Sequence, residues 1–470
     1  MKPLQWLGVA LGAGLLLYFV YSHLQYFHDV NFLAAILLLE VIVVSVWKFS
    51  ERYLVVLISA FLWAGMDIPL KEAWTGGRWV VLGVGAVAGF VVWLKESRSH
   101  FKFLHLVALF CVLAAGVSAS VSQYTEMASL KALSLLLLLM YCSSGARLAV
   151  LGREPRFLHG LLWACEVAVY ASAVCYYVVG KAIWGNPNSM GAAMSVGIYP
   201  VLLWGWMNSD TPTQKTRRLL ALLVCVWLIF SSVARAGIVS MVAVTLVFFL
   251  CLRQYRLLAK VTAMALGLIA FVGMLAPATL NRSSGKFTDS FLYKGHREQG
   301  VLGSRLTPWQ SSIASIKEHP WFGTGYGTSP TGEDPGLYFG RFASSSETVR
   351  ESGSSYVNVA EWVGLLGVLP FAGLVIVSLA NAWRVFAYML RTSDPKNFSI
   401  PLAMVVFAGL LHANFEDWLF AVGYYLCVYY WILAFALADI VPAPSVVPVA
   451  SLPVRSPSSP PVLGRAVPSR

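Results

Sequence analysis

Two arginines and a nearby carboxylate stand out in this chain for the chemistry they could do. Arg305 lies in a polar stretch from Ala278 to about Ser355, which also holds Glu351, His296 and the string HPWFGTGYGTSP, His319 to Pro330. Arg235 lies between two apolar runs, in SSVARAGIVSMVAV. A guanidinium stays charged and donates a planar fork of hydrogen bonds, which suits a diphosphate better than an ammonium does. A carboxylate beside it could take a proton from an attacking hydroxyl. An arginine at bilayer depth costs about 3 kcal/mol or more, so it usually has a partner and a purpose. The plain structural alternative for Arg235 is a residue in a tight outer hairpin. For Arg305 it is a solvated charge like Arg282, Arg297, Arg341 and Arg350.

The surroundings of Arg305 carry helix signals. Thr307 can cap, Pro308 suits a first helical position and Gln310 can complete a capping box. Trp309, Ile313 and Ile316 recur at helical spacing until Pro320, which predicts a short amphipathic helix with Arg305 just before its start. There the guanidinium and free backbone amides could face one anion. Gly323-Thr324-Gly325-Tyr326-Gly327 lacks the strand, the following helix and the lysine of nucleotide loops, so it reads as a tight turn with close backbone approach. Glu361 sits one turn inside an apolar run and reads as a buried ion-pair partner or a base. Glu351 reads as a loop charge or a base. Glu40, Asp67 and Glu166 also fall in apolar runs. The trio His412, Glu416 and Asp417 fills a short connector, where an interfacial polar turn is the plainer reading. The histidines show no zinc-ligand spacing, and Asn281-Arg282-Ser283 is too common a triplet to carry weight.

The elements that must position these groups are membrane helices. Hydrophobic residues make up 58% of the 470 and charged residues 12%, against about 25% charged in soluble domains. Mean hydropathy is +0.69. Apolar runs near helix-spanning length predict spans at 4–22, 30–47, 53–69, 78–94, 102–121, 128–147, 159–180, 188–207, 218–233, 236–252, 258–277, 356–382, 400–414 and 418–440. The runs do not alternate, which excludes a barrel. The expected architecture is all-α, with about 12–14 transmembrane helices and one large extracytoplasmic loop, 278–355, containing short helices. Residues 1–440 form one integral domain. Residues 441–470, rich in Pro, Ser and Val, read as a disordered cytoplasmic tail.

The formal net charge of +12 does not point to nucleic acid, because Lys and Arg cluster in alternate short connectors. Basic sets such as Lys95, Arg98 and Lys102, or Lys215, Arg217 and Arg218, predict a cytoplasmic side that also holds both termini. The large loop then lies outside. The seven cysteines all fall in apolar runs without ligand spacing and read as small core residues. Leu4 to Tyr21 reads as an uncleaved first span.

Several segments together resemble one family, the bacterial O-antigen ligases and the O-antigen or exopolysaccharide polymerases. GNPNSMGAAMSVGIYP (Gly185 to Pro200) resembles the family's Asn-rich lead-in to a central span. SSVARAGIVSMVAV resembles its arginine motif. SRLTPWQSSIASIKEHPWFGTGYG (Ser304 to Gly327) is the strongest match, and YVNVAEWVGLLGVLPF (Tyr356 to Phe371) resembles the span after the large loop. The motifs cover residues 185–370. Ligases of this family place a catalytic His, often followed by Asn, just before that span. Here Gly353 and Ser354 stand at those positions. The Glu-Ser-x-Ser-Ser arrangement is more similar to the polymerase branch.

The resemblance implies a bacterial inner-membrane glycosyltransferase whose donor is an oligosaccharide on undecaprenyl diphosphate and whose acceptor is a hydroxyl on another lipid-linked glycan. It implies Arg235 and Arg305 as catalytic diphosphate ligands and Glu351 as the group that orients or deprotonates the acceptor. Glu361, Trp309, Gly323, Gly325 and Asn188 would contact substrate. No metal and no cofactor is expected, inversion at the anomeric carbon is, and a flippase and a chain-length regulator are candidate partners. A ligase acting on lipid A-core or protein, and a transporter of lipid-linked sugars with Arg235 and Glu361 lining a pathway, are the alternatives. A transporter would show broken helices with paired charges in both halves, whereas this chain concentrates its polar residues in one loop.

Overall fold

The computed structural model describes residues 51–66, 71–95, 101–260, 262–263, 303–329 and 353–442. Among these residues all regular structure is helical. Helices α1 (Glu51–Gly65), α2 (Lys71–Lys95), α3 (Phe103–Ser120) and α4 (Thr125–Ser143) come first. A short α5 (Gly145–Val150) continues α4 across a break at Ser144. Then come α6 (Glu154–Val174), α7 (Pro187–Ala192), α8 (Tyr199–Met207), α9 (Pro212–Ser231) and α10 (Arg235–Cys251). The set ends with α11 (Gly303–Glu318), α12 (Ser355–Thr392), α13 (Ser399–His412) and α14 (Tyr425–Ile440). Six helical stretches among the described residues are long and apolar enough to cross a membrane, and four further apolar helices are shorter. The expected spans 4–22 and 30–47, most of 258–277, and the tail beyond Pro442 lie outside the described residues.

The chain is an all-α polytopic membrane protein. Its helices obey the rule that backbone polar groups in lipid must be satisfied internally. Where they depart from regular α geometry, the departures are local. Cys175–Val179 and Ala193–Ile198 are π-helical segments within expected spans. The expected span 418–440 starts only at Tyr425, because Ala413–Tyr424 form a non-helical loop held by other elements. Ser355 anchors that loop. Its N–H donates to the Ala413 and Glu416 carbonyls at 2.9 and 3.1 Å. Its hydroxyl donates to the Glu416 carbonyl at 2.7 Å and accepts from the Leu419 N–H at 3.0 Å.

The largest departure is in α12. Gly364 has φ +66 and breaks the helix in two. Residues 319–329 dock their backbone into that break. Thr324 N–H donates to the Glu361 carbonyl at 3.0 Å and Gly325 N–H to the Trp362 carbonyl at 3.1 Å. In return Leu365 N–H donates to the Pro320 carbonyl at 2.8 Å and Leu366 N–H to that of Trp321 at 3.3 Å. The groups orphaned by the break are thereby paired. Ser118 from α3 adds a hydroxyl to the Trp362 carbonyl, and Ser122 donates to that of Thr324. Tyr326 is fully enclosed and donates to the Phe420 carbonyl at 2.9 Å.

One end of the bundle is tied by ion pairs. Arg147, buried at the α4–α5 break, forms a bidentate pair with Asp439 near the end of α14, and Lys102 joins them at 3.2 Å. The expected motif residues gather at the opposite ends of these helices.

Candidate active site

Arg235 is the first residue of α10, and the turn before it is tight. Val233 takes φ +55, and Ser232 Oγ accepts from the Ala234 N–H at 3.3 Å. The small residues around Arg235 admit another helix. A side chain on Gly191 of α7 would collide with Ser232 and Ala234, and one on Gly237 would meet Ser195 Oγ and the Gly191 carbonyl. So α7 is drawn against the arginine turn. Its cap is Asn186, whose side chain accepts from the Ser189 N–H, while Asn188 is exposed in the first turn.

Arg305 lies in the first turn of α11 rather than before it. The helix starts at Gly303, so Pro308 is internal and Thr307 is not its cap. Tertiary contacts hold that extra turn. Arg305 Nη2 donates to Glu416 Oε1 at 2.6 Å, with side-chain exposures of 17% and 30%. Gly353, with φ +67, lies flat against the same guanidinium. A Cβ there would come within 2.5 Å of Nη1 and 2.7 Å of Cδ. Trp309 stands one turn further along the same helical face, half-buried, with Nε1 enclosed and without a hydrogen-bond partner among the described residues.

The charges of both Arg305 and Glu416 act on Arg235. The two arginines and this carboxylate therefore form one cluster, drawn from the α10 start, the α11 start and the 413–424 loop. Tyr424 closes that loop beside Glu416 and Asp417. Burial pushes its phenol up, so it stays protonated. The Tyr424 and Tyr425 hydroxyls are 3.0 Å apart, and Tyr425 donates to the Ser189 carbonyl at 3.2 Å. Together these contacts bring the α7 start to the same cluster.

Residues 220–372 match the family model described as O-antigen ligase. This region of the chain is an O-antigen ligase domain. No curated protein matches the sequence. The domain runs from α9 through the docked turn to the break of α12, so Arg235, Arg305, Trp309, Gly323, Gly325 and Glu361 all fall inside it. The chain is thus a membrane enzyme of O-antigen ligase or polymerase type. Such an enzyme transfers glycan from a lipid-linked donor to an acceptor.

Not every expected site residue joins the arginines. Gly323 and Gly325 are buried in the α12 break. A Cβ on Gly323 would lie 2.4 Å from the Trp362 carbonyl carbon, and one on Gly325 2.0 Å from Ser122 Oγ. Glu361 is buried at the same place, its carbonyl accepting from Thr324. These three build the platform of the O-antigen ligase domain. His319 follows the last residue of α11. It lies about 21 Å along the axis from Arg305 at 1.5 Å per residue. Glu351 lies outside the described residues.

Sequence alone does not single out Glu416, the partner of Arg305. In the sequence it stood in a trio that reads equally well as an interfacial turn, and 111 residues separate it from its partner Arg305. His412 of that trio is buried, and its Nδ1 accepts from Trp418 Nε1–H at 2.9 Å. It secures the loop from beneath.

Proposed function

We propose that the chain polymerises glycan repeat units carried on undecaprenyl diphosphate, working on the extracytoplasmic face of a bacterial inner membrane. The observation that carries this reading is the Arg235–Arg305–Glu416 cluster at one end of the helical bundle. The two guanidiniums bind the donor diphosphate. An oxygen of the acceptor sugar attacks the anomeric carbon, the bond to the diphosphate breaks, and the diphosphate leaves with the electron pair. The arginines stabilise the charge that develops there. Attack opposite the leaving group inverts the anomeric centre. The guanidiniums supply the charge neutralisation, and the reaction proceeds without metal.

Arg305 holds Glu416 in the resting site. A diphosphate arriving at Arg305 competes for the same N–H groups and releases the carboxylate, which then takes the proton of the acceptor hydroxyl. In this scheme Glu416 assumes the role that the sequence suggested for Glu351. Gly353 favours a polymerase over a core ligase. It stands where the ligases carry their histidine, and its backbone lies on Arg305 with no room for an imidazole. Trp309 and Asn188 flank the cluster as glycan contacts. A flippase that delivers donor and a regulator of chain length are the partners this chemistry implies.

The test uses the purified full-length chain in lipid nanodiscs with only an undecaprenyl-diphosphate-linked repeat unit. A ladder of longer glycans supports the reading. No extension until lipid A-core is added would make it a ligase instead.

A further inference from the structure

The described residues hold another cation at this end of the bundle that the scheme does not use. Arg78 lies in α2, inside the apolar stretch Trp74–Lys95. Its guanidinium stacks on the Trp79 ring at 5.0 Å and on Phe61 at 5.9 Å. Nη1 donates to the Gly423 carbonyl at 2.7 Å. Nε is buried without a hydrogen-bond partner, and no acidic residue pairs with Arg78 among the described residues. An arginine kept in an apolar helix is costly, and no counter-charge among the described residues offsets that cost here. Tethering one loop carbonyl uses one of its five N–H groups, and a neutral donor would serve for that. The carbonyl it holds belongs to the residue before Tyr424, which neighbours Glu416 and Asp417. Arg78 is therefore tied to the end of the loop that carries Glu416.

We propose that Arg78 binds the diphosphate of a second lipid-linked glycan, the acceptor. The inference rests on the polymerase reading, because a polymerase must seat two polyprenyl diphosphates at once and a core ligase only one. The aromatic rings and the Gly423 carbonyl hold the guanidinium in place and leave Nη2 to meet a phosphate oxygen. Donor and acceptor diphosphates are then held by two arginines that contact the same loop, Arg305 at Glu416 and Arg78 at Gly423, and the acceptor sugar reaches from one to the anomeric carbon at the other.

The test counts binding of undecaprenyl diphosphate to the whole chain in nanodiscs of zwitterionic lipid, by native mass spectrometry. Wild type should bind two per chain, R78Q one, R305A one, and the double variant none. R78Q should also raise KM for the lipid-linked acceptor by about tenfold, the loss expected for one charge-assisted contact, with a smaller effect on kcat. R78K keeps charge without the fork. It should retain two-site binding at weaker affinity, and it serves where R78Q does not fold. A wild type that elongates glycan but binds a single diphosphate, or an R78Q that still binds two, overturns the proposal and leaves the polymerase reading standing. Undecaprenyl monophosphate filling the second site equally well, or phosphatidylglycerol displacing the diphosphate from it, also overturns it. A wild type that elongates nothing ends the polymerase reading itself.

Discussion

Arg305 and Glu416 meet at 2.6 Å across 111 residues of chain, joining the start of α11 to the loop between α13 and α14. Both side chains keep partial exposure, 17% and 30%, so the pair contributes at most about 1 kcal/mol to stability. Its value is positional. The expected result for Arg305→Ala is a small shift in thermal unfolding with transfer reduced by about a hundredfold or more, as when a transition-state charge contact is lost. Glu416→Gln should likewise spare stability and lower kcat. A double-mutant cycle in the transfer assay should show strong non-additivity, because both changes disable one step. Additive losses would mean that the two residues act separately.

Gly353 lends itself to an experiment that restores the ligases' histidine. Gly353→His would place a side chain within 2.5 Å of Arg305 Nη1, at a residue with φ +67. The left-handed backbone alone costs an L-residue about 1–2 kcal/mol. The guanidinium must move, so glycan extension should fall and no transfer to lipid A-core should appear. A variant that gains core-directed transfer would show that the glycine is a lost catalytic position rather than a seat for Arg305.

The break in α12 shows what the sequence could and could not disclose. The apolar runs announced most helices to within a few residues, because hydropathy acts locally. Gly323 and Gly325 were legible as a close-approach turn, and their positive φ values bear that out. What they approach was not legible. Nothing around Gly364 distinguishes it from Gly367 or Gly373 in the same apolar run, yet only its φ is positive and only there does another backbone enter. The partner supplying the missing hydrogen bonds is some forty residues away in sequence, at Pro320 and Trp321. Arg235 and Arg305 could be named one by one from residue type and motif. Glu416 could not be ranked above its neighbours, because its meaning comes from a long-range contact. Thr307 misled for a related reason. Its capping pattern is real, but contacts of Arg305 hold one further turn ahead of it.

Gly364→Ala tests whether the docked backbone is structural. The added Cβ would lie 2.5 Å from the Trp321 carbonyl group and 2.6 Å from Gly323 N, and backbone cannot step aside as a side chain can. Expected is a loss of several kcal/mol, from about 1–2 for the left-handed φ plus the displaced hydrogen bonds. The variant should accumulate poorly and unfold at lower temperature in detergent. Gly373→Ala, where the nearest atom would be a Val107 methyl at 3.4 Å, is the control and should be near neutral.

Trp418 donates to a buried imidazole nitrogen under the Glu416 loop. Trp418→Phe keeps an aromatic ring but leaves His412 Nδ1 without its donor, which costs about 1–3 kcal/mol for an enclosed acceptor. The loop should loosen, seen as faster hydrogen exchange at 413–420 and a lower unfolding temperature. Unchanged exchange there would remove His412 from the support of the site.

Arg235 distinguishes a diphosphate clamp from a general positive charge. Arg235→Lys retains the charge at the α10 start but presents a point donor in place of a planar fork. If the arginine grips two oxygens of one diphosphate, the lysine variant should lose about tenfold in transfer, and Arg235→Ala at least tenfold more. The close packing of Gly191 and Gly237 around the turn is untouched by either change, so unfolding temperatures should stay near wild type. Full activity in the lysine variant would show that charge alone suffices. Full activity in the alanine variant would take Arg235 out of the site and leave Arg305 as the sole ligand of the leaving group.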